Sequence, residues 1–191
     1  MLTVLVIDES RLRAGEICAG LALAGYQVAA ILAGSENLTA EVEKLQPDVI
    51  LIDTDSPSRD TLENLAAMHK DMLRPVVIFT QEDGQATIRD AVRAGVSAYV
   101  VDGLDPRRIK PIVEVARARF EESQALRREL DEISRKLSDR KLVDKAKGVL
   151  MKARGLDEDA AYHAMRKLAM ERGQTMAKVT RDVIDMARVL L

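Results

Sequence analysis

The sequence predicts two structural classes in one chain, a doubly wound α/β domain with a five-stranded parallel sheet followed by an all-α C-terminal region. Three observations predict this. Short apolar runs at residues 2–7, 27–32, 48–52, 76–80 and 97–101 alternate with helical patterns. From residue 106 or 108 onward the apolar positions keep helical spacing. Charge divides near the same place: residues 1–123 hold 13 Lys and Arg against 20 Asp and Glu, a net −7, whereas residues 124–191 hold 16 against 11, a net +5.

Residues 2–7 (LTVLVI) form a nearly continuous apolar run, as a strand buried on both faces of a parallel sheet requires, and the run ends in Asp8 and Glu9. A helix over 12–24 stops at Gly25, and the second strand follows at 27–32. After a helix at 38–45, Pro47 restarts the chain and the third strand, 48–52, ends in Asp53. Helices at 61–70 and 86–94 flank the fourth strand, 76–80, which closes on Thr80; the fifth spans 97–101. Ligand sites of such sheets lie beyond the carboxyl ends of the strands. Asp8, Glu9 and Asp53 gather there with the Thr80 hydroxyl near them. Carboxylates held this close call for a bound cation, and hard oxygen ligands with an open position suit Mg²⁺.

Pro106 fits the first turn of a helix, and after Pro111 no proline or glycine intervenes until Gly148. Leu126, Leu130, Ile133 and Leu137 repeat at four, three and four, an a/d seam shorter than two heptads. Such a helix either pairs with a second copy or lies on its own domain. Farther on, Leu142, Ala146, Val149, Leu150 and Ala153 share one apolar face. Lys141, Lys145, Gly148 and Lys152 form a stripe beside that face, and Arg140, Lys147 and Arg154 line its other edge. Glycine inside a helix costs roughly 1 kcal/mol relative to alanine, so Gly148 predicts close approach of a ligand, and an anionic backbone fits the flanking cations.

Gly155 is placed to end this helix and Asp157 to cap the next, with Glu158 and Asp159 complementing its dipole. Ala161, Met165 and Leu168 make that helix's core face, and Arg166 and Lys167 are expected to meet the same ligand as Lys145 and Lys147. Gly173 ends it. Thr175 caps a last helix whose Val179, Val183, Met186, Ala187 and Leu190 keep helical spacing. Met151, Met165, Met170, Met176 and Met186 read as core filler.

Composition excludes several classes. A length of 191 residues with 47% hydrophobic residues suffices for one or two packed domains. With 3% aromatic residues and no Trp, aromatic stacking platforms for nucleic acid are not expected, so any contact with nucleic acid would be electrostatic and polar. Cys18 is the single cysteine, which forbids an internal disulfide and suits a reducing cytoplasm. The first residues read as a strand, not a signal peptide, and no apolar run approaches a membrane span, so a cytoplasmic protein without membrane contact is expected. His69 and His163 with one cysteine make no zinc site. Neither a nucleophile motif nor a glycine-rich phosphate loop occurs, and an enzyme is not expected.

The run AKGVLM (146–151), Gly155, the acidic residues before Ala160 and Tyr162, LAM (168–170) and the last amphipathic helix resemble the ANTAR domain, the RNA-binding output module of bacterial transcription antiterminators. This resemblance covers about residues 130–191, and Met165 stands where the pattern usually has leucine, a volume-conserving exchange. Residues 1–120 resemble the receiver domain of two-component response regulators through VLVIDE, PDVILIDTDSP, VVIFT and AGVSAYVVD. That likeness implies Asp53 as phosphoacceptor, Asp8 and Glu9 as metal carboxylates that with Asp53 would hold Mg²⁺, Thr80 as switch hydroxyl and Tyr99 as rotameric aromatic. Where receivers carry a lysine after the last strand this chain has Asp102, followed by Gly103 in place of proline. An aspartate there repels a phosphoryl group and adds a carboxylate to an acidic pocket. Two readings of the pocket follow: one kept for the fold or for weak metal binding, and a working phosphorelay receiver.

The ANTAR resemblance implies a homodimer formed along a coiled-coil linker at residues 108–138. It further implies an antiterminator that binds hairpins in leader mRNA, here through Arg140, Lys141, Lys145, Lys147, Lys152, Arg166 and Lys167. Control is expected from a regulatory protein partner instead of phosphorylation, with a layout like that of the nitrate-assimilation antiterminators and the amide-responsive ones as competitors. The alternatives are a DNA-binding phosphorelay response regulator and a module that titrates a protein.

Overall fold

The computed structural model describes residues 1–8, 13–35, 37–71, 74–103 and 105–190. Strands β1 (Thr3–Asp8), β2 (Gln27–Leu32), β3 (Val49–Asp53), β4 (Val76–Phe79) and β5 (Ala98–Val100) alternate with helices α1 (Ala14–Leu23), α2 (Leu38–Leu45), α3 (Arg59–Asp71) and α4 (Gln85–Arg93). Three helices complete the chain: α5 (Ile109–Arg154), α6 (Glu158–Glu171) and α7 (Met176–Leu190). The chain divides into two units, Met1–Gln124 and Ala125–Leu191.

In the first unit every neighbouring strand pair is parallel and the order is β2-β1-β3-β4-β5. Alternation along the central strands divides their side chains between two cores. Leu5 and Ile7 of β1 and Ile50 and Ile52 of β3 pack with Leu38, Val42, Leu65, Met68 and Ala91 from α2, α3 and α4. Val4, Val6, Val49 and Leu51 face the opposite way, onto Ile17 and Leu21 of α1 and Ile109, Val113 and Ala116 of α5. Two buried faces explain why the central strands read as continuous apolar runs. Gly20 lets α1 seat closely, because a Cβ there would lie 2.7 Å from Ile109 Cδ1 and 2.9 Å from Pro106 Cβ.

Helix α5 runs 46 residues without a break, passing through Gly148. Leu126, Leu130, Ile133 and Leu137 are all exposed along it. In the second unit Ala146, Met165, Ala169, Val179 and Ile184 form the core, with Leu142, Val143, Leu150, Leu168, Met176 and Val183 packed around them. The expected caps are present: Gly155 (φ +66°) and Gly173 (φ +59°) follow α5 and α6, Asp157 Oδ1 accepts from the Ala160 N–H at 2.7 Å, and Thr175 Oγ1 accepts from the Lys178 N–H at 3.3 Å.

The methionines depart from expectation. Met165 is buried and Met176 packs against the core, but Met151, Met170 and Met186 are exposed, Met170 to 74%. Ala153 is exposed as well, and Ile184 of α7, which the helical spacing did not place on the core face, is buried. A core made by the last turns of α5 with α6 and α7 encloses too little volume to bury every apolar position on their wheels. Leu190 lies in α7, but its side chain is outside the described residues.

Candidate functional site

The strand order reverses between β1 and β3, and a crevice opens beyond their carboxyl ends at such a point. Asp8 and Asp53 are direct neighbours there in the β1–β3 register, both buried. Neither Asp53 oxygen has a hydrogen-bond partner among the described residues, and both are sealed from solvent. Arg13, the residue before α1, lies across them: its Nε is 3.0 Å from Asp53 Oδ2 and its Nη2 donates to Asp55 Oδ1 at 2.9 Å. Burial pushes the Asp53 carboxyl above its ordinary range; Arg13 opposes that rise, and the Asp8 and Asp55 charges add to it.

A chain of hydrogen bonds links this pocket to β5. The Tyr99 hydroxyl donates to the Glu82 carbonyl at 2.9 Å, the Glu82 N–H donates to Thr80 Oγ1 at 3.2 Å, and the Thr80 hydroxyl donates to the Asp55 carbonyl at 2.8 Å. Burial raises the Tyr99 phenol above its usual value. Asp102 is exposed in a left-handed turn (φ +72°) beyond β5, and Gly103 (φ +73°) continues that turn, its N–H donating to the Thr80 carbonyl at 3.0 Å. Among the described residues, the charges that chiefly shift Asp53 are those of Arg13, Asp8 and Asp55. Glu9 lies outside the described residues.

The donor chemistry of Asp8 and Asp53 fits Mg²⁺. Asp8 and Asp53 offer hard oxygens side by side, and those of Asp53 are buried without hydrogen bonds. Among the described residues no group of three metal-ligating side chains forms. Bound there, the cation would offset the carboxylates' mutual repulsion, and Asp8 and Asp53 would hold it.

In the second unit, Arg140, Val143, Asp144, Lys147, Gly148, Met151, Glu158 and Tyr162 line a groove of about 520 Å³ between α5 and α6. A Cβ on Gly148 would meet nothing within 4 Å, so no protein atom requires glycine there. The Tyr162 ring is 41% exposed in the same groove. Lys147 differs from the other candidate cations: its side chain is only 15% exposed, and its Nζ lies 2.7 Å from Asp144 Oδ1 and 2.6 Å from Glu158 Oε1. The Asp144 and Glu158 carboxylates raise its pKa. Arg140, Lys141, Lys145, Lys152, Arg166 and Lys167 are exposed, Lys167 with an i,i+4 partner in Glu171 at 3.8 Å.

Lys167 and Lys147 do not share a groove. Lys167 borders a second, more apolar one of about 620 Å³ with Leu150, Arg154, Leu168, Val183 and Met186.

Residues 4–114 match the response regulator receiver domain and residues 131–190 match the ANTAR domain. The chain belongs to the receiver-domain response regulators and carries an ANTAR domain. Among relatives of this ANTAR response regulator, the transcriptional regulatory protein PdtaR of Mycobacterium tuberculosis is 28% identical over 182 residues, covering 95% of this chain and 89% of that protein. The nitrate regulatory protein of Klebsiella oxytoca is 35% identical over 83 residues, 44% of this chain and 21% of that protein. The likeness to the nitrate-type regulator is therefore local, whereas that to PdtaR runs nearly end to end. Among solved structures, the receiver domain of a modulated diguanylate cyclase from Desulfovibrio desulfuricans superposes with a TM-score of 0.56 at 21% identity, covering 64% of this chain and 98% of that one, which concerns the fold of the first unit.

Two residues of this ANTAR response regulator escaped the sequence reading. Arg13 lies between an acidic strand end and a helix, where no periodicity marks it; the only signal was an arginine five residues after Asp8. The sequence marks Tyr162 only as part of the ANTAR pattern and not as a groove residue, because the scarcity of aromatic residues draws attention away from single rings; it is 41% exposed. No helix among the described residues is long and apolar enough to cross a membrane.

Proposed function

We propose that this chain is a transcription antitermination regulator whose ANTAR domain binds hairpin structures in leader mRNA through the α5–α6 groove. The observation that carries the reading is the open space over Gly148, flanked by Arg140 and by the exposed ring of Tyr162. A phosphate backbone approaches where the missing side chain leaves room, exposed Arg140, Lys141 and Lys145 neutralise it, and an unstacked loop base lies on Tyr162. Lys152 and Arg166 extend the cationic surface. Lys147 contributes by fixing α6 against α5 through Glu158. Two copies paired along the exposed leucine seam present two such grooves, matching two hairpins and raising avidity. Control reaches the RNA-binding unit through the receiver, from a protein partner instead of a phosphoryl group; the exposed aspartate at 102, where a lysine would assist phosphate, supports this.

The test is titration of the full chain with a two-hairpin leader RNA and with a duplex DNA of equal charge, beside Lys141→Ala with Lys145→Ala, and Tyr162→Leu. The expected result is loop-sequence-dependent RNA binding, a shallower salt dependence in the lysine variant and lost loop discrimination in the tyrosine variant. Equal weak binding of both nucleic acids, or binding of DNA alone, overturns the reading.

A further inference from the structure

The receiver pocket holds a cation of its own. Asp8 and Asp53 end adjacent strands and are buried side by side, an arrangement that repels unless a positive group lies across it. Receivers find such a group in a lysine beyond the last strand, but here that place belongs to an exposed aspartate. The positive group comes instead from the opposite side of the crevice. Arg13 reaches Asp53 Oδ2 with Nε and Asp55 Oδ1 with Nη2, at 3.0 and 2.9 Å. A guanidinium stays charged at any pH the fold survives, and its fork spans two carboxylates as an ammonium cannot.

We infer that Arg13 is a latch that competes with divalent cations for the pocket. Three details support it. The oxygen it contacts belongs to the carboxylate that a metal would need, so both cannot hold Oδ2 on equal terms. The Arg13 side chain is 31% exposed against 1% for Asp53, so its outer end borders solvent and can leave without disturbing the core. Its second anchor, Asp55, is 81% exposed and contributes no buried carboxylate to the pocket. Asp55 therefore serves to hold the arginine, and through its backbone carbonyl it is tied to Thr80 and on to Tyr99. A partner that moves this hydrogen-bonded series would shift Arg13 and with it the pocket's appetite for metal. This inference stands on the receiver unit alone and survives failure of the RNA reading.

The test is titration of the full chain with Mg²⁺ by calorimetry, and with Mn²⁺ by the loss of its free-ion electron paramagnetic resonance signal, in wild type, Arg13→Gln and Asp55→Asn. Arg13→Gln is expected to bind either metal roughly tenfold more tightly. Asp55→Asn decides between a latch and a general field effect. Removing a negative charge near a cation site weakens binding by electrostatics alone, whereas loosening the latch strengthens it. The expected result is tighter binding in Asp55→Asn, by a smaller factor than in Arg13→Gln. Unchanged or weaker binding in Arg13→Gln overturns the inference, and so does weaker binding in Asp55→Asn whatever the arginine variant does. The exposed Asp55 side chain makes that variant safe for the fold.

Discussion

Replacing Gly148 by alanine separates stability from binding. The added methyl group meets nothing within 4 Å and the residue lies inside α5, so Gly148→Ala should stabilise the free protein by about 1 kcal/mol through helix propensity. If a phosphate backbone lies over that position, the same change lowers RNA affinity several-fold. Thermal unfolding and RNA titration of one variant check both halves, and unchanged affinity would remove Gly148 from the interface. Asp53 gives a pH signature. Burial raises its pKa in the folded chain above the unfolded value, so the folded state binds the proton more tightly. Its contribution to stability therefore declines as pH rises from the ordinary carboxylate range through that raised value and stays low above it. Asp53→Asn should raise the thermal midpoint at neutral pH, with the gain over wild type shrinking as pH falls into that range; a gain constant with pH would contradict the assignment.

At the scale of elements, α5 offers four exposed apolar side chains in one stripe, which scattered surface leucines do not do. Leu130→Asp with Ile133→Asp should convert a dimer into monomers in light scattering while changing the unfolding of the single chain by no more than about 0.5 kcal/mol. A monomeric wild type would remove the seam from the account. The strands and helices were legible because each reports through a period: two buried faces made continuous runs of β1 and β3, and caps at Gly155, Asp157 and Thr175 marked the helix ends. Side chains whose role depends on another element were not legible. Arg13 matters only because β3 ends beside it, and Met186 looked internal because a helical wheel does not tell how far a small core extends. Lys147 belongs with them; its neighbours on α5 read as a basic edge, but Glu158 arrives from α6 and turns it inward.

For the molecule as a whole, the sequence's charge division sets how binding answers to salt. Six of the seven candidate cations are exposed, so for each groove that engages a hairpin the logarithm of RNA affinity should fall with the logarithm of salt concentration at a slope no steeper than about −5. A steeper slope would implicate cations beyond this set. The three tyrosines are divided as well: Tyr26 and Tyr99 lie in the first unit, hydrogen-bonded to Glu114 Oε1 and to the Glu82 carbonyl, and Tyr162 stands alone in the second. With no tryptophan in the chain to mask them, ultraviolet emission comes from these three rings. The ANTAR unit thus carries an optical reporter of its own at the groove, without any label. A nucleobase settling on Tyr162 should dim that emission in the wild type, and Tyr162→Leu should show no change on adding the same RNA.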